Sequence, residues 1–127
     1  MKRLLLSSAI IGLFVCLAAL HVNHLGNLTD ELIGQLETIR TDVEWENWSA
    51  AAATTSEISA KWAKHAFYLH TTLRHTDIDE ILSSLRELDA FLDSREDKAE
   101  TLSVIARLIN QLELLVEAEL PSIKNLL

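Results

Sequence analysis

The residues best suited to chemistry in this 127-residue chain are its five histidines. His65, His70 and His75 are five positions apart, so on a helix of 3.6 residues per turn each is rotated about 140° from the one before. These three side chains therefore do not share a helical face. Only His21 and His24 have the three-residue spacing of a helical metal pair, and no further ligands accompany them. We expect no metal and no cofactor site.

The chain also lacks the patterns of nucleophilic catalysis. Its single cysteine, Cys16, lies inside an apolar run, which excludes an intrachain disulfide as well. The sequence contains neither a Gly-x-Ser-x-Gly motif nor a glycine-rich phosphate loop. Acidic pairs such as Asp77 and Asp79 are explained by first helical turns, where the macrodipole favours negative charge by about 0.3–1 kcal/mol each. We therefore expect no catalytic residues and no enzymatic activity.

A run of basic residues and histidines interrupts an otherwise acidic chain. Eleven Lys and Arg stand against nineteen Asp and Glu, a net charge of −8 that argues against nucleic acid as a partner. The interval between Glu57 and Asp77 contains no carboxylate, and its basic and histidine residues are Lys61, Lys64, His65, His70, Arg74 and His75. One interpretation is that they complement the C-terminal end of a helix. The other is that they contact anionic lipid or wall polymer, more strongly below about pH 6.5, where histidine gains charge.

The elements that carry these residues begin with a candidate membrane anchor. The nineteen residues from Leu4 to Val22 include no Asp, Glu, Lys or Arg, and at helical rise they span about 28 Å, close to the thickness of a bilayer core. This run is longer than the apolar core of a secretory signal, and Cys16-Leu17-Ala18 is a poor cleavage site. We predict an uncleaved signal-anchor over residues 1–22. Lys2 and Arg3 predict a cytoplasmic N-terminus and an extracytoplasmic domain at residues 23–127.

The remaining residues carry apolar side chains at three- and four-residue spacing, which predicts helices. The four stripes are Leu25 to Val43, Trp48 to Leu73, Ile78 to Leu92 and Leu102 to Val116. The pairs Thr41 with Glu44, Thr76 with Asp79 and Ser94 with Asp97 are the candidate caps for the starts of the second, third and fourth helices. Pro121 predicts the end of the fourth helix, before a short turn from Ser122 to Leu127. The sequence leaves open whether the first helix continues from the anchor through Gly26.

The fold class that follows is all-α. Alternating strand patterns are absent, and glycine and proline are scarce, with three and one in the whole chain. Short connections make successive helices antiparallel neighbours. We predict an N-terminal transmembrane helix that leads into an antiparallel bundle of about four helices, arranged as two hairpins at residues 23–75 and 76–127.

Tryptophan placement suggests one exposed contact. Trp48 and Trp62 are fourteen residues apart, two heptads, so they face the same side and are predicted to fill the core. Trp45 lies near the predicted membrane-distal turn, where it cannot belong to an interfacial aromatic belt. An exposed Trp45 would be a candidate contact for a protein partner.

Several segments together resemble a known family. They are the short N-terminal anchor, the helix from Trp48 to Trp62, the stretch from His75 to Leu85 and the ending Ile123-Lys124-Asn125-Leu126. The chain resembles a bacterial family named domain of unknown function 4363 over nearly its whole length. The resemblance implies a small membrane-anchored protein of Gram-positive bacteria with no established activity. It also implies a membrane partner, since genes of this family often neighbour one for a multi-pass membrane protein.

Two functions of different classes follow. The first is a non-enzymatic accessory or interaction subunit of a membrane protein complex, attached to the membrane through its N-terminal helix. The alternative is an autonomous extracytoplasmic bundle that responds to a ligand, to pH or to an envelope polymer, or an immunity-type protective protein, a fold-level analogy. The sequence leaves homo-oligomer formation open.

Overall fold

The computed structural model describes residues 1–95 and 97–126, with side-chain surroundings given as far as Glu119. The described residues form five α-helices: α1 (Lys2–Glu44), α2 (Trp48–Lys64), α3 (Ala66–Thr72), α4 (His75–Ser94) and α5 (Lys98–Leu126). The described residues contain no strand. The prediction of an all-α fold is confirmed, with the short α3 added to the four helices expected.

Four of these helices form an antiparallel bundle. α1 packs against α2 and α5, and α4 packs against the same two helices, so α1 and α4 lie on opposite corners. α3 bridges the ends of α2 and α4. The seams are the predicted stripes. Their fully buried members include Leu36, Ile58, Leu88 and Ile105. Periodic apolar residues fold in this way because burying each large side chain contributes about 1.5–3 kcal/mol.

α1 is one continuous helix whose two halves differ in burial. It is long and apolar enough near the N-terminus to cross a membrane, and its large apolar side chains there, such as Leu5, Phe14 and Leu17, are exposed on the protein. From Leu25 onward its apolar stripe is buried against the bundle. Gly26 does not interrupt it, because glycine in a helix costs only about 1 kcal/mol and the buried side chains on both sides of Gly26 hold the backbone.

The turn between α1 and α2 differs from the predicted start. Thr41 and Glu44 lie within α1, so their prediction as a cap for the second helix is wrong. The backbone N–H groups of Trp45 and Glu46 donate to carbonyls in the last turn of α1, and Glu46 adopts a left-handed conformation with φ of 59°. α2 begins at Trp48. The chain thus reverses in three residues, Trp45 to Asn47.

The predicted helix from Trp48 to Leu73 is interrupted at His65. The backbone N–H of His65 reaches the carbonyls of both Lys61 and Trp62 at 3.2 Å, and its ring Nδ1 lies 2.9 Å from the Lys61 carbonyl. The bond from His65 to the Trp62 carbonyl spans three residues, the tighter pattern that is common in the last turn of a helix. α3 then starts at Ala66 and ends at Thr72.

The two later starts and the last end also need correction. α4 begins at His75 without a side-chain cap, so the Thr76–Asp79 prediction is wrong. Ser94 is the last residue of α4 and starts nothing. Asp97, however, accepts a 2.9 Å hydrogen bond from the Glu100 N–H at the start of α5. α5 continues past Pro121 to Leu126, because proline removes one helical hydrogen bond and later N–H groups can resume the pattern. Residues 122–126 of the predicted final turn belong to α5, and Leu127 lies outside the described residues.

Candidate interaction sites

The junction between the apolar part of α1 and the bundle contains a cluster of polar rings. His21 of α1 contacts the Tyr68 hydroxyl of α3 through Nδ1, and its Nε2 lies 3.4 Å from a Glu119 carboxylate oxygen of α5. The arrangement suits the tautomer in which the Tyr68 O–H donates to Nδ1 and Nε2–H points at Glu119. One histidine therefore connects three helices at the end of the apolar run.

Tyr68 is the central group of this cluster. Its ring lies edge-on to His24 with centroids 5.0 Å apart, and it is half-buried. Burial raises the pKa of the Tyr68 hydroxyl above its ordinary value of 10.0, and the negative charge of Glu119 raises it further. Both causes favour the neutral hydroxyl, which is the form that can donate to His21.

His24 also lies near α2, along a groove between α1 and α2. Its ring centroid is 5.8 Å from that of His65. Farther along the groove, Lys61 Nζ lies 2.5 Å from Glu31 and 3.2 Å from the Gln35 side-chain oxygen. The groove encloses about 570 Å³ and includes both histidines and Lys64 in its lining. The charge of Lys61 is therefore already matched by a carboxylate of α1.

The predicted membrane or anion contact is divided among several places. Lys61 pairs with Glu31, and His65 is half-buried against its own helix end. His70 and His75 lie together, with their Nδ1 atoms 3.3 Å apart. The side chains in the predicted set that belong to exposed residues are those of Lys64, His70, Arg74 and His75.

The spacing of His70 and His75 on a helix did not predict their contact. Five residues separate them, and on a single helix that spacing turns their side chains apart. The chain is extended at Leu73 and Arg74, with ψ of 167° and 133°, and these two residues separate α3 from α4. The corner brings the two rings to a centroid distance of 5.4 Å. In the described part of the chain, no group of three His, Cys, Asp or Glu side chains is placed to hold a metal ion.

The aromatic residues divide into core and surface members. Trp62 is 4% exposed and Trp48 packs against the core from a half-buried position. Trp45 is 81% exposed at the turn between α1 and α2, at the opposite end of the bundle from His21. Its predicted role as a partner contact remains a prediction.

Phe67 is a second exposed aromatic residue, and sequence reasoning did not single it out. It is 84% exposed on α3, next to Tyr68. The signal that could have identified it is its spacing. Trp62, Leu69 and Leu73 are buried along one face, and Phe67 is two positions from Leu69, about 200° around a helix.

A further groove lies between α4 and α5. It encloses about 440 Å³, and its lining includes Arg74, Asp77, Gln111 and Leu114. The Gln111 side-chain oxygen is buried there and accepts no hydrogen bond within the described residues. The acidic residues of this groove, together with Arg74, give it mixed charge.

Comparison with known proteins gives a family and no function. No curated protein matches the chain, and no solved structure matches it. The family model with the description Domain of unknown function (DUF4363) matches residues 19–126, which include the whole bundle and the end of the apolar run. This chain therefore belongs to the DUF4363 family.

Proposed function

We propose that the protein is a non-enzymatic accessory subunit of a membrane protein complex, retained in the membrane by residues 1–22. The observation that carries the proposal is the division of α1. Its first half exposes a continuous apolar surface from Leu4 to Leu20, while its second half contributes a buried stripe to the bundle. Exposed apolar side chains at this density require lipid or another protein to cover them.

The flanking charges support a defined orientation. Lys2 and Arg3 precede the apolar run, and the first residues after it are uncharged or histidine until Asp30 and Glu31. Positively charged flanks remain on the cytoplasmic side. The proposed topology therefore has a cytoplasmic N-terminus and an extracytoplasmic bundle formed by residues 23–127.

Trp45 is the proposed contact with a partner. α1 extends without a break from the apolar run to Glu44, so Trp45 lies up to about 35 Å beyond the end of that run at helical rise. Large exposed aromatic residues are enriched in the energetic centres of protein interfaces. A membrane protein that contacts Trp45 must have an external domain of about that height.

The test is co-purification of the full-length tagged chain from gently solubilised native membranes after brief cross-linking, with mass spectrometry of the bound proteins. We expect a stoichiometric membrane protein with the wild type. Trp45→Ser should lose it, whereas Leu114→Ser, at a 52% exposed position on α5, should retain it. Recovery of the tagged chain alone from the wild type and from both variants would refute the subunit proposal. Equal capture of the partner by the wild type and both variants would show that the contact does not involve Trp45.

An autonomous pH-responsive bundle is the second candidate, and the His21 contacts favour it. Protonation of a histidine makes both ring nitrogens donors and adds a positive charge. At His21 that charge would face Glu119, with the Tyr68 hydroxyl as an acceptor and His24 one turn away. We expect the melting temperature of His21→Gln in micelles to depend on pH differently from that of the wild type. Parallel pH profiles for the two proteins would exclude this function.

A further inference from the structure

We propose that α3 is an interfacial helix, with Phe67 inserted into the lipid surface of the membrane that α1 crosses. The occupant of the exposed α3 face is the headgroup and upper acyl region of the outer leaflet. The inference goes beyond a docking role and rests on the proposed anchoring of α1.

The depth of α3 follows from its contacts with α1. Tyr68 contacts His21 and lies edge-on to His24, the two residues that bracket the end of the apolar run at Val22. If Leu4 to Val22 fills the hydrocarbon layer, the Tyr68 ring lies at its boundary with water. Tyrosine is enriched at this depth because its ring is apolar and its hydroxyl is polar.

An apolar recess continues from α1 onto α3. It encloses about 340 Å³ between Leu17 and Leu20 on one side and Tyr68 and Thr72 on the other. Leu17 and Leu20 belong to the exposed apolar part of α1. α3 therefore forms one wall of a surface whose other wall lies in the proposed membrane segment.

Phe67 extends this surface outward. It is adjacent to Tyr68 and 84% exposed, while Leu69 on the opposite face of α3 is fully buried in the core. A phenylalanine this exposed gains little from the protein itself. At the lipid boundary the same ring would leave water, which is the driving force for interfacial helices.

Charge around α3 suits the same occupant. Lys64 immediately precedes the turn into α3, and the whole interval from residue 58 to residue 76 contains no carboxylate. Exposed lysine near an anionic surface contributes attraction that falls off within a Debye length. Arg74 shares a groove with Asp77 and Glu80, and Lys64 shares one with Glu31 and Glu57, so Phe67 is the residue on which the proposal depends.

The test measures depth at three single-cysteine positions with a nitroxide label, in vesicles of phosphatidylcholine with phosphatidylglycerol. Native Cys16 is the only cysteine and is exposed on α1, so it reports the anchor. In a Cys16→Ser background, Thr71→Cys reports α3 one turn from an intact Phe67, and Trp45→Cys reports the distal turn. Accessibility to oxygen and to a water-soluble nickel chelate separates lipid from water.

We expect the label at position 71 to be shielded from nickel relative to position 45, and the added change Phe67→Ser to abolish that shielding. In vesicles of phosphatidylcholine alone, the shielding of position 71 from nickel should be weaker. If position 71 is as accessible to nickel as position 45 while Cys16 lies in lipid, the interfacial helix is refuted. If Cys16 is itself accessible to nickel, the proposed anchoring fails and this inference fails with it.

Discussion

Two tryptophans, one buried and one exposed, provide a direct test of which aromatic residues stabilise the bundle and which are free to contact a partner. Trp62 is 4% exposed and belongs to the core cluster, whereas Trp45 is 81% exposed. Replacing each with alanine removes the same atoms from the same chain. The structure therefore predicts opposite consequences for one chemical change.

The magnitude follows from burial. Trp62→Ala leaves a cavity between α2 and its neighbours, and truncation of a buried tryptophan costs about 3–5 kcal/mol. For a domain of this size each kcal/mol lowers Tm by roughly 4–8 °C, so we expect a fall of more than about 10 °C. Trp45→Ala removes few contacts and should change the free energy of unfolding by less than about 0.5 kcal/mol.

The assay is thermal unfolding of the full-length variants in mild detergent, followed by far-ultraviolet circular dichroism. The proposed membrane part of α1 stays helical in the micelle and contributes a constant baseline, so the transition reports the bundle. A fall in Tm with Trp45→Ala comparable to that with Trp62→Ala would refute the reasoning. It would show that Trp45 stabilises the fold and is not free to contact a partner.

Three further predictions concern single groups. Tyr68 is the only tyrosine, so near-ultraviolet absorbance should show its ionisation above pH 10.0. Glu119→Gln should lower the midpoint of this ionisation, and an unchanged midpoint would contradict the effect of the Glu119 charge on the Tyr68 pKa. Because folding raises the pKa of Tyr68, the neutral hydroxyl contributes stability below about pH 10. That contribution is lost as the pH rises through the pKa of the folded protein, and Tyr68→Phe should remove this loss. Arg95→Gly should raise the free energy of unfolding, measured by urea denaturation, by up to about 1 kcal/mol, because Arg95 has φ of 55°. A lower free energy of unfolding would show that the contact of Arg95 with Ser49 matters more. Gln111→Leu should raise the free energy of unfolding by about 1 kcal/mol or more, because it removes a buried acceptor that has no donor in the described residues. Asn110→Leu, at an exposed position, serves as the neutral control in the same assay.

The inward faces of the helices could be predicted because helical periodicity is local. The stripe from Leu25 to Val43 needed only three- and four-residue spacing, and its large apolar members are buried as expected. Continuity across Gly26 could not be decided in the same way. It depends on whether packing on both sides outweighs the cost of glycine, and packing involves residues far away in sequence.

Helix ends were harder, because a cap motif competes with other partners for the same backbone groups. Thr41 bonds the Glu37 carbonyl inside α1 and so caps no later helix. The second stripe breaks at His65, where the backbone N–H bonds the carbonyls of both Lys61 and Trp62. Asp97 takes the capping role that the motif gave to Ser94, because the left-handed residue Arg95 ends α4 before it.

The candidate site depended on that unpredicted break. Had the second stripe remained one helix to Leu73, Phe67 and Tyr68 would have continued the line of α2, and His70 and His75 would have pointed apart. With α2 ending at Lys64, the seven residues of α3 become a separate element that packs between α2 and α4 and contacts α1 through the Tyr68 side chain. The break places Tyr68 against His21 and leaves Phe67 outward. The position of this break thus determines which aromatic residues lie at the level where the apolar run ends, and this is why the depth of position 71 tests both the corner and the proposed contact with lipid.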